Sequence, residues 1–495
     1  MRAGDDAVID VGGLDRLIVL LGERGYRAIG PVARDGAIVH GEVSGADDLP
    51  AGWHDVQAPG RYRLEQAGDA WAKAAHHETA AARLREAVAF YRELGDRRAA
   101  ARASAELGWS LSWLFRVDEA RGVLDAARAE LGDLAGGAEE AELLVARARV
   151  MLTAESPNDV LVAAEAALPI AERLDLAPLV AQALSTKGAA LLQLGREYEG
   201  LAALRGGIEL SVATGRSEDA LVGKSNLVAS LSPRDPVAAL GIARACLAEA
   251  RRLGLRGRVI NLVGNASAAA PSVGEWDWAL SELHVVLEGD LDPEDRSWIL
   301  AQETAILGGR GDDVEPSLAE VRRLAGAGDD LGTEIMIHSL EESLALADGL
   351  LPDARSHAHH VAAISPLNAS AAYPDAIRAA LWMRDPVGAA EDLAALDATG
   401  HRGPFLELRR TAFAAGIAAL EGRPEEARSL FAAARRGLLD RGIAFEAALV
   451  AIDMATVLGP DDPDVLAAAA EARPVLERLH ARPFLDRLES ELAGS

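Results

Sequence analysis

One signature recurs along most of this chain: a small residue, a larger one four positions on, and another small or apolar one three further. It runs as Ala80/Leu84/Ala87, Ala120/Leu124/Ala127, Ala164/Leu168/Ala171, Gly200/Leu204/Gly207 and Ala239/Ala243/Cys246. More loosely it continues as Ala279/Leu283/Val286, Ser317/Val321/Leu324, Ala354/Ala358/Val361, Ala389/Leu393/Leu396 and Ala427/Phe431/Ala434. Nine steps from Ala80 to Ala427 give a mean period of about 39 residues, and a fixed period of that size means stacked supersecondary units rather than one globular core. Small residues let two helix backbones approach, and the larger residue fills the space between them. Residues 107–127 show one unit: Leu107, Leu111 and Leu114 at helical spacing with Trp109 and Trp113, a turn at Phe115-Arg116-Val117, then Asp118 as an N-cap. Breaks fall at 132–137, 175–178, 214–217, 253–257, 289–293, 326–332, 365–369, 399–404 and 441–442. The pattern predicts an open right-handed superhelix of helix pairs, with residues 483–492 as its cap.

Alanine and leucine dominate and aromatics are scarce, which favours helix over sheet. A formal charge of −27, from 50 basic and 77 acidic residues, argues against nucleic acid, whose phosphates need a basic face. Cys246 is the only cysteine, so no disulfide framework or thiolate metal cluster is expected. No signal peptide or membrane-spanning run is read, and a cytoplasmic protein without membrane contact is expected.

Residues 1–66 stand outside the repeat. A short helix is read from Asp15 to Arg24, ended by Gly25. Residues 26–33 and 37–43 are β-rich and joined through Asp35-Gly36, a two-residue hairpin signal, and residues 61–64 read as a further strand. From Gln66 the chain is helical, with a first turn read near His77–Thr79. The domain reading is a small α+β module, 1–66, followed by helical repeats, 67–492.

Two resemblances bear on these parts. The run RGYRAIGPVARDGAIVHGEV…DDLPAGW…PGRYRLE, within residues 14–65, resembles the N-terminal, cluster-free segment of bacterial four-iron–four-sulfur dicluster proteins. That family's cluster cysteines lie downstream, where this chain has none. The repeats are similar to tetratricopeptide repeats with lengthened helices; the small–large–small grammar favours these over HEAT-type solenoids. Across residues 69–492, the segments EGRPEEARSLFAAARRGLLDRG, GPDDPDV and ARPFLDRLESEL resemble the C-terminal part of bacterial regulators. Those regulators join an AAA-type ATPase to a class III cyclase or helix-turn-helix domain. The resemblance implies a regulatory sensor or adaptor region, not a catalytic one.

Few residues suggest chemistry. Gly223-Lys224-Ser225 resembles the end of a phosphate-binding loop, but Glu218 stands where a glycine is required. His357 and His360 of an H-A-H-H run share a helix face and could hold a metal with a third ligand, which the sequence does not supply; a solvated surface is the plainer reading. Asp461, Asp462 and Asp464 read as a helix start rather than a calcium loop. Trp109/Trp113 and Trp276/Trp278 read as packing rather than ligand cages. No enzyme, cofactor or metal is expected.

The candidate site comes from the repeat register. In tetratricopeptide units the first helix lines the concave face through positions 2, 5, 9 and 12. Placing the signature's small residue at position 20 turns Arg102, Arg149, Lys224, Arg378 and Arg409 inward, with Gln182, Ser185, Asn261, Gln302 and Ser339 as polar neighbours. None of these register positions is acidic, in a chain where acids outnumber bases. The expectation is a non-catalytic scaffold or regulatory adaptor whose locally positive groove binds a protein or acidic peptide. The alternative is the detached small-molecule-sensing region of a regulatory ATPase or cyclase.

Overall fold

The computed structural model describes residues 11–34, 37–49, 53–58, 61–66, 77–114, 116–154, 156–326 and 331–494. The N-terminal part holds helix α1 (Val11–Glu23) and strands β1 (Ile29–Arg34), β2 (Ala37–Glu42), β3 (Trp53–Ala58) and β4 (Arg61–Gln66). β1 and β2 pair antiparallel with Arg34 opposite Ala37; the turn expected at Asp35-Gly36 lies outside the described residues. β3, which pairs with β4, has no counterpart in the sequence reading. Ile18, Val32 and Val43 form a small apolar cluster here, and the Asp15 carboxylate accepts the Ala46 N–H at 2.8 Å.

From His77 onward the described residues are built of helices. After α2 (His77–Glu93) come pairs α3/α4 (Arg97–Trp113, Val117–Leu131), α5/α6 (Ala138–Thr153, Pro157–Arg173) and α7/α8 (Ala177–Gln193, Glu197–Ala213). Next are α9/α10 (Ser217–Leu231, Pro236–Arg252), α11/α12 (Arg256–Val273, Trp276–Leu287) and α13/α14 (Pro293–Arg310, Glu315–Ala325). Then follow α15/α16 (Leu331–Ala347, Leu351–Ile364) and α17/α18 (Ala369–Trp382, Pro386–Ala398). Pairs α19/α20 (Pro404–Leu420, Pro424–Asp440) and α21/α22 (Ala444–Leu458, Pro463–Leu479) lead to a last helix, α23 (Arg482–Leu492). The fold is an all-α, tetratricopeptide-like helical solenoid with a small N-terminal α+β part. Proline often opens a helix, as at Pro157, Pro236, Pro404 and Pro463, where its missing N–H costs nothing.

Two local expectations are corrected. Residues 77–79 form the first turn of α2 rather than a turn between helices. Asp118 lies inside the first turn of α4, behind Arg116 in the cap position; its carboxylate still favours the positive helix end.

The signature is buried where neighbouring helices touch: Ala120, Ala239, Ala279, Ala354, Ala389 and Ala427 are fully inaccessible. Helices α7 and α8 approach each other closely. A Cβ on Gly188 would stand 2.4 Å from the Leu204 backbone N and 2.7 Å from the Gly200 carbonyl oxygen. The signature therefore takes glycine at 200 and 207.

The superhelix is not open. The His77 N–H donates to Asp292 at 2.9 Å, the Phe405 N–H to the Arg234 carbonyl at 2.9 Å, and Arg478 to the Gly274 carbonyl at 3.4 Å. The His401 ring lies 3.2 Å from the Gln193 carbonyl. Three of these contacts join residues 215, 208 and 204 apart, a nearly constant offset of about five repeats. Successive turns of the superhelix thus stack directly. Gly195 marks one joint: it has φ +70°, and a Cβ there would meet the Thr399 carbonyl oxygen at 2.4 Å. The largest apolar core accordingly draws on residues as far apart as Leu192 and Leu488, with smaller clusters beside it. The cap helix α23 belongs to this closure, with Pro483 against Gly311 and the Phe484 ring 5.3 Å from Phe445. No helix of the described residues is long and apolar enough to cross a membrane.

Candidate functional site

The first helices of the pairs face inward, and in the first superhelical turn they build an aromatic and cationic cradle. α3 carries Trp109 and Trp113 one turn apart, so both rings share a face, with centroids 5.5 Å apart in an edge-to-face arrangement. The His77 ring stacks on Trp113 at 5.4 Å. From α5, the Arg149 guanidinium lies 3.7 Å from the Trp109 centroid. From α11, four pairs on, the Arg258 guanidinium stands 5.8 Å from Trp109 and 5.5 Å from Trp113. These are cation–π distances, and the curvature of the superhelix is what brings α11 back to α3.

Electrostatics set this place apart. Burial pushes the Arg149 pKa down, with Glu106, Asp219 and Glu218 opposing the shift. Burial and the like charge of Arg149 push Arg258 down to about 10, against the pull of Glu218 and Asp219. The Arg149 Nε and the Trp113 Nε1 are buried and have no hydrogen-bond partner. Two desolvated cations and two unanswered donors converge, although Trp109, Trp113, Arg149 and Arg258 all keep part of their surface open. Buried donors are ordinarily satisfied, so this arrangement calls for an acceptor.

The sequence-derived residues divide. Arg149 is in the cradle. Ser185 on α7 is buried with its Oγ unpartnered, while Gln182, Gln302 and Ser339 are half-buried. Ser225 donates to Asn261 and accepts from Asn265 at 3.1 Å. Arg102 is exposed and pairs with Glu139 at 3.2 Å, and Lys224 pairs with Glu249 at 3.1 Å.

Arg378 and Arg409 lie elsewhere, in a buried ion cluster filling the second turn. Arg378 is wholly inaccessible, donates to Glu446 at 2.5 Å and lies 3.3 Å from Asp453; Arg409 reaches Asp375 at 2.8 Å and Glu446 at 3.2 Å. Burial works against the Arg378 charge, but Glu446, Asp453 and Asp375 outweigh it and raise its pKa. Burial raises Asp375, Asp453 and Glu342 despite the neighbouring guanidinium groups. Helix α21, buried from Phe445 to Thr456 and mostly apolar apart from Glu446, Asp453 and Thr456, occupies the space a groove would need. These two arginines are thus committed to the protein's own carboxylates. Acids do occur at other positions of the same first helices: Glu139, Glu342, Asp375, Glu446 and Asp453.

Gly223-Lys224-Ser225 lies inside α9, and a Cβ on Gly223 would meet the Ile208 side chain at 2.7 Å. Asp462 caps α22 by accepting the Asp464 N–H, as the helix-start reading expects. Trp276 is core, edge-to-face with Phe445 at 4.9 Å. Arg258 and Trp113 were not singled out as ligand-facing from sequence. Arg258 precedes the nominal start of its repeat, and only superhelical curvature carries it across to α3.

No family model matches the sequence, and no curated protein matches it. Among solved structures, similarity is found to a Rap protein complexed with Competence and Sporulation Factor, at 12% identity over 80% of this chain and 98% of that one, TM-score 0.39. It is also found to the P58(IPK) TPR domain, at 15% identity over 76% and 98%, TM-score 0.22. A circular tandem repeat protein with novel repeat topology is similar at 15% identity over 83% and 93%, TM-score 0.14. These superpositions are loose, and the repeat architecture described above rests on the chain's own helices.

Proposed function

We propose that the protein is a non-catalytic scaffold that holds an acidic peptide segment of a partner protein within its first superhelical turn. A peptide carboxylate takes the charge-assisted bonds that Arg149 and Arg258 leave open, and the peptide backbone or an apolar side chain rests on Trp109 and Trp113. Arg102, Gln182, Ser185, Lys224 and Asn261 extend the contact along neighbouring first helices, with Gln302 at its far end. Arg378 and Arg409 fall outside this reading because they already pair within the buried cluster.

One observation carries the proposal: two partly desolvated guanidinium groups face the same indole pair, with the Arg149 Nε and Trp113 Nε1 unpartnered. A ligand there should lose affinity as salt rises, because its charge contacts are screened. The test is capture of partners from a lysate on the immobilised wild-type chain and on an Arg149→Glu, Lys224→Glu variant. Partners retained through acidic segments should be lost from the variant; equal retention would refute the reading. A metabolite that raises the melting temperature of the wild type alone would instead favour the small-molecule alternative.

A further inference from the structure

The second superhelical turn brings together a cluster that the sequence shows only in half. On α15, Glu334, His338 and Glu341 follow one another at spacings of four and three, which places them on one helix face. On α16, His357 and His360 do the same. Packing the two helices of this pair turns these faces toward each other. The Nδ1 atoms of His338 and His357 lie 2.8 Å apart, and the His360 Nε2 lies 2.6 Å from a Glu334 carboxylate oxygen. The Glu341 carboxylate stands 3.6 Å from His357 and 3.9 Å from His338. The ring centroids of His338 and His360 are 4.1 Å apart.

We propose that this cleft between α15 and α16 binds a divalent transition-metal ion of zinc's class, held by His338, His357 and His360 together with Glu334 or Glu341. The potential donor atoms of Glu334, His338 and His360 all lie within 4.8 Å of one another, and so do those of His338, Glu341 and His357. A tetrahedral zinc ion with bonds near 2.0–2.1 Å places its ligand atoms about 3.3 Å apart, which small side-chain rotations reach from these positions. His338 belongs to both sets and is the pivotal ligand.

The donor chemistry selects the ion. Imidazole with carboxylate suits zinc, cobalt(II) or nickel(II), whereas calcium and magnesium prefer oxygen alone. A thiophilic ion would need Cys246, which is buried on α10. The two Nδ1 atoms at 2.8 Å share one proton at most without repulsion, and an ion between them replaces that proton with a stronger bond to each lone pair. Burial, with the neighbouring His360 and His357, pushes the His338 pKa down, which favours the neutral ligating form. Arg322 of α14 lies 2.7 Å from Glu341 and engages it, which leaves Glu334 as the readier carboxylate ligand. A cavity of about 420 Å³ lined by Arg322, Gly326, Thr333, Glu334, Ile337 and His338 adjoins the cluster and gives the ion a way in. Bound there, the ion ties the first helix of this repeat to its second.

The test is a cobalt(II) titration of the full chain at neutral pH, followed by zinc displacement. The expected result is one equivalent of cobalt giving the visible absorption of a low-coordinate site, zinc abolishing that signal, and zinc raising the melting temperature while magnesium does not. His338→Ala should abolish all three effects, and so should His357→Gln with His360→Gln. Replacement of the exposed His284 on α12, His284→Ala, should change none of them. Affinity should fall as pH drops through the imidazole range, where protons compete for the ligands. Failure of the folded wild type to bind one equivalent overturns the proposal. So does unchanged binding by either ligand variant, each shown by circular dichroism to be folded.

Discussion

The Arg258 guanidinium lies 5.5 Å from the Trp113 ring, although the two residues belong to the fifth and first helix pairs. Helix pairs that stacked in a gentle arc would never bring them together. Their meeting follows from the same tight curvature that lets each turn of the superhelix rest on the next. The two turns have opposite interiors. The first leaves cations and indoles partly open, and the second is filled by α21 and a buried ion cluster.

Contact between turns should be sensitive to acid through His401. This imidazole is 1% exposed, and its pKa is pushed from 6.5 down to about 4 by burial and by the charges of Arg234 and Arg410. A depressed folded-state pKa means that its contribution is fully present above about 6.5 and is lost as pH falls toward 4. Asp295, raised to about 7 chiefly by burial, acts in the opposite sense over part of that range, so the comparison must be between variants. Denaturant unfolding from pH 7 to 4 should show a steeper loss of stability for the wild type than for His401→Gln. Parallel profiles would contradict the assignment.

Removing Arg378 should be among the most damaging single changes. Arg378→Ala leaves Glu446 and Asp453 buried with less compensation, and breaking a buried pair in this way costs roughly 3–5 kcal/mol. Urea titration followed by circular dichroism measures it; a loss below about 1 kcal/mol would mean that the carboxylates are held neutral or solvated.

The repeat signature predicts overpacking. Ala120 and Ala427 are fully buried between adjacent helices, so Ala→Leu at either should destabilise by roughly 1–3 kcal/mol. Thermal unfolding of the two variants checks this, and neutrality at both would contradict the observed packing.

Local features of the fold were readable because the signals that specify them are local. The signature and the break positions each act within a turn or two, and Ala427/Phe431/Ala434 are buried together as their spacing implies. The closure of the superhelix was not readable. Its joints link residues far apart in the chain, such as Phe405 N–H to the Arg234 carbonyl and His77 N–H to Asp292, and no local signal pairs them. The same limit divided the candidate site. The register placed Arg149 and Arg378 alike on the inner face, and only three-dimensional packing separates an open groove from one filled by α21. For the histidines, His357 and His360 were visible as a pair, but their partners His338 and Glu334 sit on the preceding helix.

Residues 1–66 should be separable from the repeats. The apolar cluster of Ile18, Val32 and Val43 is drawn from that segment alone. Deleting 1–66 should leave the mean residue helicity and melting behaviour of the remainder nearly unchanged, by circular dichroism. A truncated chain that fails to fold would show that the two parts share a core.

The central claim is that the first turn binds an acidic peptide on Arg149 and Arg258 over Trp109 and Trp113. The most direct measurement is selection of a random peptide library on the full chain at low salt, followed by tryptophan-fluorescence titration with the enriched peptides. The account predicts enrichment of acidic sequences that perturb the tryptophan emission, bind more weakly as salt rises, and lose binding to a folded Arg149→Glu, Arg258→Glu variant. Acidic peptides that bind that variant as tightly as the wild type, or a selection that enriches no acidic sequence, would contradict it.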